Sequence, residues 1–353
     1  MDRLLLKGLV MAILVLCVNK VPMVATTNAK YPALFAFGDS ILDTGNNNIL
    51  VSTTKCNYPP YGRDFNGGIP TGRFSNGKVP SDFIAEVLGI KDTLPAYNNP
   101  KLDVQELPTG VCFASGGSGL DTLTSSFMEV ISVSDQIKMF KEYIGNLTAN
   151  VGQQKASEII SNSLVILSAG NNDIAITYSQ GRRPMLFPAY SNLLVDWTSS
   201  FLKELYALGV RHVWAFSTLT LGCLPGGRAS VGGVLCNEAV NELAVQFNDM
   251  LEKHITSIKT TTPDYEVQYV DVYNPLRNII NSASQLGFTN TMNGCCGGNA
   301  VASGELCTVF TGQCTNPSIY VFWDFAHPTQ RAYEIINSDA LDSYENVSHR
   351  EAQ

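Results

Sequence analysis

A mostly parallel β-sheet covered by helices on both faces is the fold class this sequence predicts, from three observations. Short apolar runs at residues 33–37, 164–167, 210–216 and 267–272 have strand length and look like buried parallel strands. Stretches of helical period separate them. No repeat, low-complexity block or long linker interrupts residues 30–344, so residues 30–353 are expected to form one α/β domain.

The elements follow in order. Ala33-Leu-Phe-Ala-Phe37 opens the sheet, and Leu164-Val-Ile-Leu167 supplies a second strand. Residues 196–208 read as a helix closed by Gly209 at its C-cap, leading straight into the third strand at Val210. The strongest amphipathic stripe is at residues 237–258, where Val240, Leu243, Phe247, Leu251, Ile255 and Ile258 recur every three or four positions. The strand at 267–272 comes next. A last helical pattern carries Ala332, Ile335, Ile336 and Leu341, with Pro328 suited to its first turn. Ligands of such sheets sit beyond the carboxyl ends of the strands, so the residues just after each apolar run are the first candidates for chemistry.

Composition and charge narrow the function. With 45% hydrophobic and 15% charged residues, the 353-residue chain is too apolar to stay disordered. Its net charge is −8, and −10 without residues 1–29, which carry Arg3, Lys7, Lys20 and Asp2. Nucleic acid is therefore not expected as a partner. Arg3 and Lys7 flank an apolar run at 9–18, and Ala25, Thr26, Thr27 and Ala29 follow it, so residues 1–29 read as a signal peptide cut between 25 and 29. The run is too short to span a bilayer, and no later segment is long enough. Asn146-Leu-Thr and Asn346-Val-Ser match the glycosylation pattern, which matters only for a secreted chain.

Nine cysteines become eight once Cys17 leaves with the signal, and an even number suits an oxidising compartment. Cys223 and Cys236 bracket a glycine-rich stretch, and Cys295, Cys296, Cys307 and Cys314 lie in a second loop-like region, so local disulfides are expected there with their pairing left open. A metal site at Cys295–Cys296 is the alternative. No histidine lies near it and zinc-type CxxC spacing is absent, so no metal is expected.

Four stretches carry candidate chemistry. Gly38-Asp39-Ser40 places a serine directly after the first strand, where it serves either as a nucleophile or as a turn former. Gly170-Asn171-Asn172-Asp173 follows the second strand; Asn172 offers an amide donor, and Asp173 reads otherwise as a helix cap. The loop from Val111 to Gly119 contains Gly116, Gly117 and Gly119, whose freedom in φ allows exposed N–H groups to line a pocket. It lacks the spacing of a phosphate cradle. Asp324-Phe-Ala-His327 places an acid three residues before a histidine, close enough to orient its Nδ1 and leave Nε2 to take a proton. The other histidines, His212, His254 and His349, have plain structural settings. A nucleophile, a base, an orienting acid and amide donors are complementary parts of one acyl-transfer site.

These residues resemble a known family. Phe37-Gly-Asp-Ser40, Asp43-Thr-Gly-Asn-Asn47, Phe113-Ala-Ser-Gly-Gly-Ser-Gly119, Gly170-Asn-Asn-Asp173 and Asp324-Phe-Ala-His327-Pro328 look like the blocks of plant GDSL esterases/lipases of the SGNH hydrolase superfamily. Pro59-Pro-Tyr-Gly62, Thr71-Gly-Arg-Phe74, Gly222-Cys-Leu-Pro225, Gly294-Cys-Cys-Gly297 and Tyr320-Val-Phe-Trp323 extend the likeness over almost the whole mature chain, nearest to the extracellular-lipase-like branch. Cys112 stands where many relatives carry Asn, and Phe325-Ala326 replaces a more usual Ser-Phe or Ser-Val pair.

The resemblance implies a flavodoxin-like three-layer α/β/α sandwich and ester hydrolysis through an acyl-enzyme. It makes Ser40 the nucleophile, His327 the general base and Asp324 its orienting partner, with an oxyanion hole from the Ser40 and Gly119 N–H groups and the Asn172 side chain. Gly117 is the alternative donor to Gly119. No cofactor is implied. The expected partner is a small-molecule or lipid ester, or an acetylated cell-wall polysaccharide, met by a secreted monomer in the apoplast or wall. Acyl transfer to another alcohol and a catalytically silent binding or defence protein are the alternatives.

Overall fold

The computed structural model describes residues 29–298 and 307–351, with side chains up to Leu341. The expected signal peptide and Cys17 lie outside the described residues, apart from Ala29. Four strands pair in parallel in the order β1 (Leu34–Gly38), β2 (Leu164–Ser168), β3 (His212–Phe216) and β4 (Glu266–Val270). The segment Val111–Ala114 runs along the free edge of β1, where Phe113 N–H donates to the Ala36 carbonyl at 2.7 Å. Counting that segment gives the order 2-1-3-4-5 typical of doubly wound sheets. A separate parallel pair, β5 (Asn290–Gly294) and β6 (Tyr320–Phe322), leads into the Asp324–His327 stretch.

The helices, in chain order, are α1 (Pro80–Val87), α2 (Thr122–Met128), α3 (Val133–Val151), α4 (Gln153–Asn162), α5 (Phe187–Ala207), α6 (Pro225–Ala229), α7 (Glu238–Thr261), α8 (Tyr273–Asn281) and α9 (Gln330–Glu351). Consecutive strands that add in one direction by right-handed crossovers put their connecting helices on one face. Accordingly α3 packs on α5, and α5 on α7. The opposite face is covered by α1, α8 and α9, with α9 packing on both α1 and α8. β1 and β2 are buried along their whole length, which is why their sequences do not alternate.

Element edges move for identifiable reasons. The third strand starts at His212 rather than Val210, because Gly209, at φ +100°, closes α5 and Val210 N–H returns to the Leu205 carbonyl. α5 itself begins nine residues before the expected start, with Pro188 in its first turn. The fourth strand ends at Val270, since Val272 N–H leaves the ladder for the Ser217 hydroxyl at 2.9 Å. Pro328 precedes the last helix instead of entering it: it bridges to Phe322, and Thr329 Oγ1 accepts from Ala332 N–H.

Three disulfides, Cys223–Cys236, Cys295–Cys314 and Cys296–Cys307, close short loops. The metal alternative at Cys295–Cys296 is overturned, because both sulfurs are spent in these bonds. Cys56 and Cys112 are buried free thiols. Asn146 is exposed on α3, its Nδ2 donating to the Tyr97 hydroxyl at 2.9 Å. Asn346 belongs to α9, but its side chain lies outside the described residues. No helix among the described residues is long and apolar enough to cross a membrane.

One buried ion pair fixes the loop after β1 to the helix behind it. Arg73 donates bidentately to Asp82 of α1, both bonds at 2.7 Å, and its remaining N–H groups reach the Thr44 and Leu94 carbonyls. Removing one partner strands a charge in an almost dry site. Arg73→Met is expected to cost about 3–5 kcal/mol, read as a fall in the urea midpoint; a loss below about 1 kcal/mol, the scale of a surface pair, would contradict this account.

Candidate active site

Ser40 leaves the carboxyl end of β1 through Gly38, which has φ +121°. A side chain on Gly38 would strike the Ser168 carbonyl of β2, so only glycine lets the chain turn this close to its neighbour. Gln136 of α3 clamps both backbone groups of Gly38 at 2.8 Å. Past that clamp, Ser40 is nearly buried and its Oγ lies 2.8 Å from His327 Nε2.

His327 is held by a tight turn that Asp324 organises. Asp324 Oδ1 accepts from Ala326 N–H and His327 N–H at 2.8 Å, and the imidazole Nδ1 lies 2.9 and 2.8 Å from the two carboxylate oxygens. Tyr61 donates its hydroxyl to Oδ2 at 2.7 Å. Burial acts to raise the Asp324 pKa, but the His327 charge and the hydrogen bonds from His327, Ala326 and Tyr61 outweigh it and hold the carboxyl below its ordinary range. The Phe74 ring packs against the imidazole at 5.0 Å.

The disulfide loops buttress this turn from behind. Cys295 N–H and Cys296 N–H donate to the Phe322 and Trp323 carbonyls, and Trp323, Tyr61, Phe74 and Cys56 join the half-cystines in a second small core.

The glycine loop and the Asn172 turn complete the site. Asn172 Nδ2 donates to the Ser118 carbonyl at 2.9 Å, which orients the amide and leaves its second N–H free of that bond. Asp173 does not cap a helix. It opens a π-helical turn, Asp173–Tyr178, and receives Leu120 N–H, Asp121 N–H and the Thr124 hydroxyl, so it fixes the far end of the glycine loop. Gly119 N–H donates to Ser125 Oγ at 3.2 Å, and the residue packs against Asp173. Gly117 instead lines the cavity at φ +83°, and its N–H, like that of Ser40, has no acceptor among the described residues.

Sequence reasoning missed three supporting groups. Asp39 accepts from Ile41 N–H and the Asn171 amide, and Asn171 in turn accepts from Leu219 N–H, tying three loops together. Asp43 accepts from Gly45, Asn46 and Gly116 N–H. Tyr61 had no local signal, being 263 residues from the acid it supports. For Asp39 and Asp43 the available clue was an aspartate inside a loop of glycines and asparagines, whose many N–H groups need acceptors. Burial, opposed by these hydrogen bonds, raises Asp39, Asp43 and Asp173 to about 6.

A cavity of about 300 Å³ opens over Ser40 and His327. Met128, Ile176, Leu219, Leu221, Leu224 and Phe325 give it mainly apolar walls, with Asn172 and Gly117 beside the serine. The arrangement offers a hydroxyl facing a base, a base facing a carboxylate, and amide donors near the hydroxyl.

A sequence profile described as GDSL-like Lipase/Acylhydrolase matches residues 34–340. One GDSL esterase/lipase of Arabidopsis thaliana is 49% identical over 307 residues, covering 86% of each chain. A second is 48% identical over 321 residues, covering 90% of each, and a third is 44% identical over 336 residues, covering 94% of this chain and 96% of its own. A crystal structure of a Bacillus subtilis protein covers 90% of this chain and 57% of its own at 13% identity and a TM-score of 0.36, too loose a likeness to carry an argument.

The raised carboxyls give the site a pH signature. A carboxyl whose folded pKa lies above its unfolded value stabilises the fold below the unfolded value and loses that contribution as pH rises through the folded one. For Asp39, Asp43 and Asp173 the window runs from 3.8 to about 6. His254, pushed down by burial, opposes them over part of this range as a single half-buried group. The urea midpoint is therefore expected to be higher at pH 5 than at pH 7, with a smaller gain in Asp39→Asn. A midpoint that falls between pH 7 and pH 5 would contradict the assignment.

Proposed function

The chain belongs to the GDSL-like lipase/acylhydrolase family and is a carboxylic ester hydrolase, and from that premise we propose a secreted serine esterase that works through an acyl-enzyme on Ser40. The observation that carries this reading is the unbroken path Ser40 Oγ to His327 Nε2, then His327 Nδ1 to Asp324, with each contact at 2.8–2.9 Å. Neutral His327 takes the Ser40 proton as Oγ attacks the ester carbonyl. Asp324 remains a carboxylate and stabilises the imidazolium that forms. Charge developing on the carbonyl oxygen meets the Ser40 and Gly117 N–H groups and the Asn172 amide. His327 then protonates the departing alcohol, and water repeats the sequence on the acyl-serine.

The apolar cavity favours an ester with a hydrophobic acyl or alcohol part over an acetylated polysaccharide. Secretion is supported by the signal-like N-terminus and by three disulfides, which persist in oxidising compartments. In a secreted chain the exposed Asn146 would be the accessible glycan acceptor.

Hydrolysis of p-nitrophenyl butyrate tests the roles. Ser40→Ala is expected to abolish it, and Asn172→Ala to lower kcat by about 10²–10³. A Ser40→Ala protein with near-normal kcat would refute the assignment.

A further inference from the structure

The cavity over Ser40 is lined by one charged residue that the hydrolytic steps do not use. Lys55 lines it, and with His327 neutral Lys55 is the one lining residue with a formal charge; no aspartate or glutamate is among them. The Lys55 Nζ donates to the Asn48 carbonyl at 3.3 Å, a neutral and long contact, and no ion pair engages it among the described residues. In a chain of net charge −8, with 31 acidic side chains, a cation at the active-site cavity without a carboxylate partner is unusual.

The segment that carries Lys55 is anchored on both sides of the residue. Thr54 gives its carbonyl to the Asn47 amide at 2.8 Å, and the Ser52 and Thr54 hydroxyls both donate to the Met128 carbonyl. Cys56 follows and is buried in the small core behind Asp324. The backbone is thus set before any ligand arrives, and the ammonium keeps donors to spare. The mainly apolar cavity weakens screening of an ammonium that turns into it and strengthens its attraction for an anion relative to open water. A wholly apolar ligand filling the same space would strip water from the ammonium and return nothing for it.

We propose that Lys55 is a specificity-determining residue that selects esters bearing a carboxylate a few atoms from the scissile carbonyl, on either the acyl or the alcohol part. The inference rests on the esterase reading for its substrate class, and its test separates the two.

Two matched pairs locate the carboxylate: mono-p-nitrophenyl glutarate against p-nitrophenyl valerate for the acyl part, and 4-acetoxybenzoate against phenyl acetate for the alcohol. In at least one pair, Lys55→Met should lower the anionic-to-neutral ratio of kcat/KM about tenfold, mainly through KM. Lys55→Arg should retain the ratio, Lys55→Glu should depress it further, and added salt should reduce it in the unsubstituted enzyme. Binding of mono-p-nitrophenyl glutarate and 4-acetoxybenzoate to the Ser40→Ala protein, read by calorimetry, reports the contact without turnover and should weaken on adding Lys55→Met. Ratios that stay the same in both pairs, with binding of both anions indifferent to Lys55→Met, overturn the proposal. Weakened binding without turnover of any ester leaves Lys55 in its role and removes the esterase reading instead.

Discussion

The site depends on a physical constraint that concerns carboxylates more than the serine: backbone N–H groups of several loops converge on a few buried acids. Asp39 and Asp43 gather the loop after β1, with Asp43 also taking Gly116 of the glycine loop. Asp173 gathers the far side of that loop, and Asp324 gathers its own turn. Each acid meets donors that would otherwise be orphaned, and each is buried, so losing one strands several polar groups together. The contact of Ser40 with His327, 287 residues apart, is the product of those convergences.

The sheet and the loops divide the work. Parallel strands place their carboxyl ends on one side, which aligns the Ser40 and Asn172 turns; the pair β5–β6 with its disulfides brings in Asp324 and His327 from a second small core. Buried carboxylates near pKa 6 oppose stability at neutral pH. That cost sits where a shaped, donor-rich mouth is needed, the usual place for such strain.

Much of this was legible in the sequence because its signals are local. The first two strands announce themselves as unbroken apolar runs and the other two as apolar-rich ones, the α7 stripe from Val240 to Ile258 is periodic, and Asp324 and His327 share a turn short enough to be read directly. What was not legible depends on distant partners. Val210 looks like strand but serves the end of α5, since the turn at Gly209 brings the Val210 N–H back to the Leu205 carbonyl. Gly119 and Gly117 are indistinguishable by composition, and the contacts of Gly119 with the Ser125 hydroxyl and the Asp173 carboxylate come from residues that follow in later turns. Lys55 carries no motif and Tyr61 sits in one, Pro59-Pro-Tyr-Gly62, that does not name its role; each takes its meaning from a surface built by residues far along the chain.

The most direct measurement is the mass of the enzyme caught during turnover. Rapid acid quench after mixing with a p-nitrophenyl ester, followed by peptide mapping, should find the acyl mass on the peptide containing Ser40, formed at about one per chain in the first turnover. An acyl mass on another residue, or steady hydrolysis with Ser40 unmodified and no burst of p-nitrophenol, would contradict the account.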